Sequence, residues 1–211
     1  MVSTWLNGLV SGTVVAKAGY FCGGVTSGGT VATVDRFAFP DDSRTTLGTG
    51  LSAVSADSPG FANSGTAGYV SNIAGGGSTS TVVDKIAFVD DSRTTLGTGL
   101  SSSATDCGAM ANSGTAGYVA LGTVGGSNVT TVDKFAVPGD GRTTLGTGLS
   151  AARAPTAGMA DSGTAGYFGG GTSNVSTVDK FAFADDSRST LGTGLSAGSQ
   201  LLAGMANSGA L

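Results

Sequence analysis

Two residue types recur in this chain at positions where they could do chemistry. Aspartates stand at Asp35, Asp84, Asp133 and Asp179, and arginines follow at Arg44, Arg93, Arg142 and Arg188. A carboxylate and a guanidinium at a fixed separation can ligate an ion, hold a charged substrate, or pair with each other. Further carboxylates are doubled at Asp41-Asp42, Asp90-Asp91 and Asp185-Asp186. Calcium would need alternating oxygen ligands along such a run. None is present, and the third copy reads Gly139-Asp140-Gly141. The chain contains no His, and all 14 acidic residues are Asp. Without His, neither a Ser-His-Asp nor a Cys-His arrangement can be built. Glycoside hydrolysis needs two carboxylates set about one bond, and here symmetry distinguishes no pair. A group repeated in every unit is needed by the unit, whereas a single active site would break the repeat. The expectation is therefore a protein without catalytic residues, cofactor or metal, whose Asp and Arg residues satisfy turns or pair within each unit.

Other candidates give way to similar arguments. The runs Gly75–Gly77 and Gly169–Gly171 are not followed by Lys-Ser/Thr and open no helix, so they are not phosphate loops. Cys22 and Cys107 fall at different places in the repeat, which suits two unrelated small packing groups. Tyr20, Tyr69, Tyr118 and Tyr167 are expected to pack between units, with sugar stacking as the alternative.

These residues are positioned by a repeat. The stretch Val178–Ser196 has near-identical copies beginning at Val34, Val83 and Val132. The four tyrosines are each 49 residues apart, while the arginines are spaced 49, 49 and 46, so the fourth unit is three residues shorter. The deletion falls between Tyr167 and Val178, which marks a surface loop. Each unit reads as four short strands: Gly108–Gly114, Gly166–Gly171, Thr177–Phe183 and Arg188–Leu195 show one example of each. In the third strand the period of two puts Asp179, Phe181 and Phe183 on one face and Val178, Lys180 and Ala182 on the other. The Asp-Asp-Ser stretch that follows is a tight-turn signal. Short strands joined by turns at this period describe the blade of a β-propeller.

Composition agrees with a folded, all-β chain. Of 211 residues, 38 are Gly and 4 are Pro, hydrophobic residues make up 39% and charged residues 11%. Gly, Ser, Thr, Val and Phe favour strands and turns. The net charge is −4, and the ten basic residues are dispersed, so no phosphate-binding stripe exists and nucleic acid is not an expected partner. No apolar run approaches the roughly 18 residues of a membrane span, and no basic segment precedes the first apolar residues as in a secretory signal.

The motif as a whole resembles the kelch repeat: a Tyr-containing strand ending in glycines, a strand with an Asp, an Asp-rich turn, and a last strand. The matching stretches are Gly166–Gly171, Thr177–Phe183, Ala184–Ser187 and Arg188–Leu195, and the resemblance extends over Gly19–Leu211. Where the kelch family usually has Trp in the fourth strand, this chain has Leu47, Leu96, Leu145 and Leu191. The resemblance implies a four-bladed kelch-like β-propeller over residues 19–211. Gly204–Leu211 would complete the first blade and close the ring, removing both sheet edges. The alternative is an open array of blades that closes only by pairing with another chain. Near-identical repeats of this kind are also similar to those of structural proteins of aquatic bacteriophages. That likeness implies a structural or host-attachment component of a virus particle, at the virion surface. It would meet other virion or surface-assembly proteins as a homo-oligomer or multi-copy assembly, and host glycans. The alternative is a lectin-like, carbohydrate-binding module, secreted or at a cell surface.

Two regions depart from the repeat. Residues 1–18 form an N-terminal extension whose Trp5, Leu6, Leu9 and Val10 fit one helical face, with Gly12–Ala16 suited to an edge strand. Trp5 needs a partner, either the propeller itself or a neighbouring subunit on which the segment serves as an assembly anchor. The connections that open on one face of the ring also vary between units, and carry Ile73, Leu121, Arg153, Gln200, Leu201 and Leu202. That variable face is either neutral loop drift or a binding surface.

Overall fold

The computed structural model describes residues 18–39, 41–71, 80–154 and 156–206. Four antiparallel sheets follow one another along the chain. The first is made of β1 (Ala18–Cys22), β4 (Val34–Ala38) and β5 (Arg44–Thr46), and between β1 and β4 the chain forms a separate small hairpin of β2 (Val25–Thr26) and β3 (Gly29–Thr30). The second contains β6 (Gly60–Asn63), β7 (Ala67–Ser71), β8 (Val83–Ala87) and β9 (Arg93–Thr95). The third is preceded by β10 (Ala104–Thr105) and contains β11 (Gly108–Asn112), β12 (Ala116–Ala120), β15 (Val132–Ala136) and β16 (Arg142–Thr144). Its outer hairpin, β13 (Thr123–Val124) and β14 (Ser127–Asn128), pairs with β10. The fourth contains β17 (Ala157–Asp161), β18 (Ala165–Gly169), β19 (Val178–Ala182) and β20 (Arg188–Thr190). No helix occurs among the described residues, so none is long and apolar enough to cross a membrane.

Strand order within each sheet is the order along the chain. Register is conserved: Tyr69 faces Lys85, Tyr118 faces Lys134 and Tyr167 faces Lys180 across the two central strands. Gly65, Gly114 and Gly163, with φ of 73°, 83° and 85°, supply the left-handed residue of the turn between first and second strands. Between third and fourth strands the second turn Asp does so: Asp42, Asp91, Asp140 and Asp186 have φ of 54°, 58°, 57° and 59°. Asp tolerates this region because its short side chain makes local or outward hydrogen bonds. The strands are shorter than the sequence suggests. The last is only three residues, because the chain turns away at Leu-Gly-Thr-Gly.

That departure is a close backbone approach. Leu51, Leu100, Leu149 and Leu195 each donate N–H at 2.7 Å to a carbonyl just ahead of the third strand, on Ala32, Thr81, Thr130 and Ser176. A Cβ on the preceding residue, Gly50, Gly99, Gly148 or Gly194, would lie 1.9–2.3 Å from that same oxygen. Only glycine lets the chain reach the bond.

The core lies between sheets, in three layers. Val34 and Leu51 of the first repeat pack with Val70 and Ile86 of the second. Phe61, Tyr69, Val83 and Leu100 pack with Val119, Leu121, Phe135 and Val137. Met110, Tyr118, Val132 and Leu149 pack with Phe168, Phe181 and Phe183. Each sheet thus has a front that meets its successor and a back that meets its predecessor. The face assignment read from the period of two holds: Asp179, Phe181 and Phe183 all lie on the back.

Closure of the series into a ring is not seen among the described residues. Among the described residues the first sheet has three strands, not four, and no hydrogen bond or ion pair joins it to the fourth sheet. The described part of the segment expected to complete it, Gly204–Ala206, forms no strand and lies against the fourth sheet. A Cβ on Gly204 would be 2.3 Å from the Gly158 carbonyl, as one on Gly158 would be 2.0 Å from that of Ala109. So Gly204 stacks on β17 as β17 stacks on β11, in the place of a following first strand. Trp5, Leu6, Leu9, Val10 and Ile73 lie outside the described residues.

The close approach makes a test. Gly99→Ala forces its Cβ onto the Thr81 carbonyl and should cost about 1–3 kcal/mol, lowering Tm by several degrees. Gly97→Ala, whose Cβ would meet nothing within 4 Å, should leave Tm unchanged or slightly raised. Equal effects in thermal melts would refute the assignment.

Candidate functional site

The recurrent polar residues converge on the junctions between sheets. Asp84, Asp133 and Asp179 have fully buried carboxylates. Oδ1 accepts from the fourth strand of its own sheet: from Thr95 at 2.6 Å, Thr144 at 2.7 Å and Thr190 at 2.7 Å. The guanidiniums of Arg93, Arg142 and Arg188 stand 3.5, 3.5 and 3.6 Å from the same oxygens. Oδ2 accepts from the preceding repeat, from the backbone N–H of Ser52 at 2.6 Å, Ser101 at 2.6 Å and Ser150 at 2.8 Å. One carboxylate therefore ties the outer strand to its own sheet and that sheet to its predecessor. In Asp179 burial pushes the carboxyl up, but the bonds from Ser150, Thr190 and Arg153 outweigh it and hold the group below its ordinary range.

A second set runs the other way. The hydroxyls of Tyr20, Tyr69 and Tyr118 donate to the turn residues Asp91, Asp140 and Asp186 of the following sheet, at 2.6, 2.7 and 2.8 Å. The cation beside each tyrosine reaches the same carboxylate: Arg36 Nε at 3.6 Å, Lys85 Nζ at 2.8 Å and Lys134 Nζ at 2.7 Å. The two lysines also lie over the Tyr69 and Tyr118 rings, 5.5 and 5.4 Å from the centroids. Burial and the adjacent carboxylate push all three tyrosine hydroxyls up from their ordinary range. A third set links the first turns. Asn63 Oδ1 accepts from Gly114 N–H at 2.8 Å, and Asn112 Oδ1 from Gly163 N–H at 2.7 Å.

The turn aspartates thus divide their work. Asp41, Asp90 and Asp185 accept from the N–H of Ser43, Ser92 and Ser187 within their own turns, and the Ser side chains first, then these N–H groups, lower their carboxyls. The second Asp carries the inter-sheet bond, a role sequence reasoning missed. A signal was present: in Gly139-Asp140-Gly141 both neighbours become Gly while the second Asp stays.

The described variable-face residues differ in exposure. Leu121 is buried in the layer between second and third sheets, and Arg153 is only 2% exposed, so neither is presented outward as expected. Arg153 Nη2 donates to Asp179 Oδ2 at 2.9 Å and to the Phe168 carbonyl at 3.2 Å, while its stem packs where a Cβ on Gly171 would stand. Burying a guanidinium there is offset by a buried counter-charge. Gln200, Leu201 and Leu202 are exposed. Cys22 and Cys107 are free thiols, pushed by burial up to about 11 and about 12, which disfavours the thiolate. No family model matches the chain, and no curated protein does.

The bonding makes two tests. Because the folded-state tyrosines titrate above the ordinary value of about 10, the unfolded chain loses their protons first. Their contribution is full below about pH 10 and is lost as pH rises through the raised folded values. Melting should therefore fall above about pH 10, and less steeply in Tyr69→Phe/Tyr118→Phe; equal slopes would remove tyrosine as the cause. Arg153→Ala leaves Asp179 without its buried counter-charge and should cost about 3–5 kcal/mol in urea unfolding. Arg44→Ala, at the exposed pair with Asp35, should cost less than about 1 kcal/mol.

Proposed function

We propose that the chain is a non-enzymatic structural or host-attachment component of a virus particle, of the kind phages carry. Its sheets would serve as kelch-like propeller blades, and the N-terminal segment ahead of β1 would dock on a neighbouring subunit. The observation that carries this reading is where the recurrent polar side chains go. Asp84, Asp133 and Asp179, and Tyr20, Tyr69 and Tyr118, are committed to holding one sheet to the next. Chemistry directed at a substrate would leave some of them aimed at a cleft. The blade comparison is supported by the first strands: β6, β11 and β17, with Gly204, line one groove of about 170 Å³, as inner strands around an axis would. The low-charge Gly/Ser/Thr surface suits a displayed module.

The test is deletion of residues 1–16 in the protein's native setting. An anchor predicts that the truncated chain melts as before and no longer co-sediments with its particle. A truncated chain that loses its fold places the segment in the core instead. Glycan-array binding by the isolated protein, with none of it recovered in virus-sized particles, would favour a lectin-like module.

A further inference from the structure

Four sheets form three junctions, and the residues of a fourth junction are present but apart. Tyr167 and Lys180 face each other on the front of the fourth sheet, as Tyr69 faces Lys85 and Tyr118 faces Lys134. Among the described residues no acceptor meets the Tyr167 hydroxyl or the Lys180 ammonium. On the first sheet, Asp42 holds the same left-handed conformation as Asp91, Asp140 and Asp186. Among the described residues its carboxylate has no donor. Asp35 uses Oδ1 for Thr46 and Arg44. Its Oδ2, the oxygen that takes a Ser N–H in the other three, has none among the described residues. The unmet donors lie on one face and the unmet acceptors on another, and they are the donors and acceptors of the three filled junctions.

The apolar surface says the same. Phe21 is 71% exposed on the back of the first sheet, whereas its counterparts Val70, Val119 and Phe168 are buried. Phe39 is 61% exposed there, in the place where Phe88 and Phe183 stack under Tyr20 and Tyr118 at 5.2 and 5.3 Å. On the front of the fourth sheet Met159 is 41% exposed, while its counterparts Phe61 and Met110 are buried. Leu195 is only half-buried, although Leu51, Leu100 and Leu149 are buried. The segment Gly204–Ala206 already lies on β17 where an incoming first strand would stand, and the first sheet lacks that strand among the described residues.

We infer that the front of the fourth sheet and the back of the first are two halves of one more inter-sheet contact, filled by a second copy of this chain docked head to tail. Tyr167 and Lys180 of one copy take Asp42 of the next. The Tyr167 ring stacks on Phe39, Ser196 N–H donates to Asp35, and Gly204–Ala206 lies along the open edge of β1. Charge matches, since a lysine meets a carboxylate as at the second and third junctions. Among the described residues of one chain no hydrogen bond or ion pair joins the two halves, and a second copy supplies the partner for each. Such a contact joins two different patches, so repeated it closes into a ring of several chains or extends as a filament. It gives the multi-copy assembly of the preceding reading a residue-level form. It is tested on the purified chain, separately from incorporation into any particle.

The experiment is light scattering of the 211-residue chain over a range of concentrations, with two charge reversals, Asp42→Lys and Lys180→Asp. The wild-type chain should run as a multiple of its 20.2 kDa mass. Each reversal alone puts like charges together and should weaken association by about tenfold or more. In an equal mixture the Asp42→Lys chain offers its native Lys180 to the native Asp42 of the Lys180→Asp chain. At the next contact the two introduced residues meet with opposite charges. The mixture should therefore restore the wild-type mass. Tyr167→Phe, which removes one hydroxyl, should weaken association in the same direction and less. A wild-type monomer at every concentration overturns the inference and points to closure within one chain. Single variants that keep the full mass, or a mixture that stays dissociated while both variants keep a wild-type circular dichroism spectrum, overturn it as well.

Discussion

The structure depends on a buried carboxylate with two oxygens that face two different sheets. A charge taken out of water is costly unless its lone pairs are met. In Asp84, Asp133 and Asp179 one oxygen is met by the chain's own outer strand and the other by the preceding repeat's Leu-Ser backbone, with Arg153 adding a further donor to Asp179. Losing either bond weakens the solvation of a buried charge. The short outer strands, three residues each, would be weak as isolated sheet edges. Coupling to the junction is what fixes them, and so the unit of stability is the junction more than the sheet.

Apolar packing fills the junctions around this bond, and not always in the same way. Tyr20 and Tyr118 stack on Phe88 and Phe183 of the following sheet. The third repeat has Val137 in that place, and there Phe61 stacks on Tyr69 at 4.8 Å, in a position held by Met in the next two repeats. The space is filled by a change on the other strand. Gly117 makes room, since a Cβ there would lie 2.0 Å from the Phe61 ring. A ring in one repeat, with a missing side chain and a smaller residue on two adjoining segments of the next, is one packing solution.

Much of this was legible from the repeat. The period located the sheets, the alternation in Val-Asp-Lys-Phe-Ala-Phe placed Asp179 and Phe181 on one face, and repetition of Asp and Arg marked them as structural. The limits have physical causes. Sequence periodicity describes one unit, whereas the second turn Asp acts on its neighbour, so Asp140 reads as a residue of its own turn. Arg153 stands outside the repeat in a connection between sheets and looks exposed, because nothing in its surroundings along the chain shows that Asp179 lies 2.9 Å away. Leu121 follows a strand and reads as loop, yet it is covered by the preceding sheet. Whether the series closes depends on the angle between sheets, which no pattern within a repeat records.

The change at Phe61 and Val137 has a consequence for how such a chain finds its own order. Nearly identical units can dock out of turn during folding, skipping a neighbour or borrowing one from another molecule, and tandem arrays are prone to this. Phe61 fits where Gly117 leaves a hollow and Val137 leaves depth; against Gly166 and Phe183 it would compete for the space that Met110 fills with a flexible thioether. The second sheet is thereby matched to the third. One ill-fitting ring acts as an address, and it lets repeats with almost the same bonding pattern assemble in a single order.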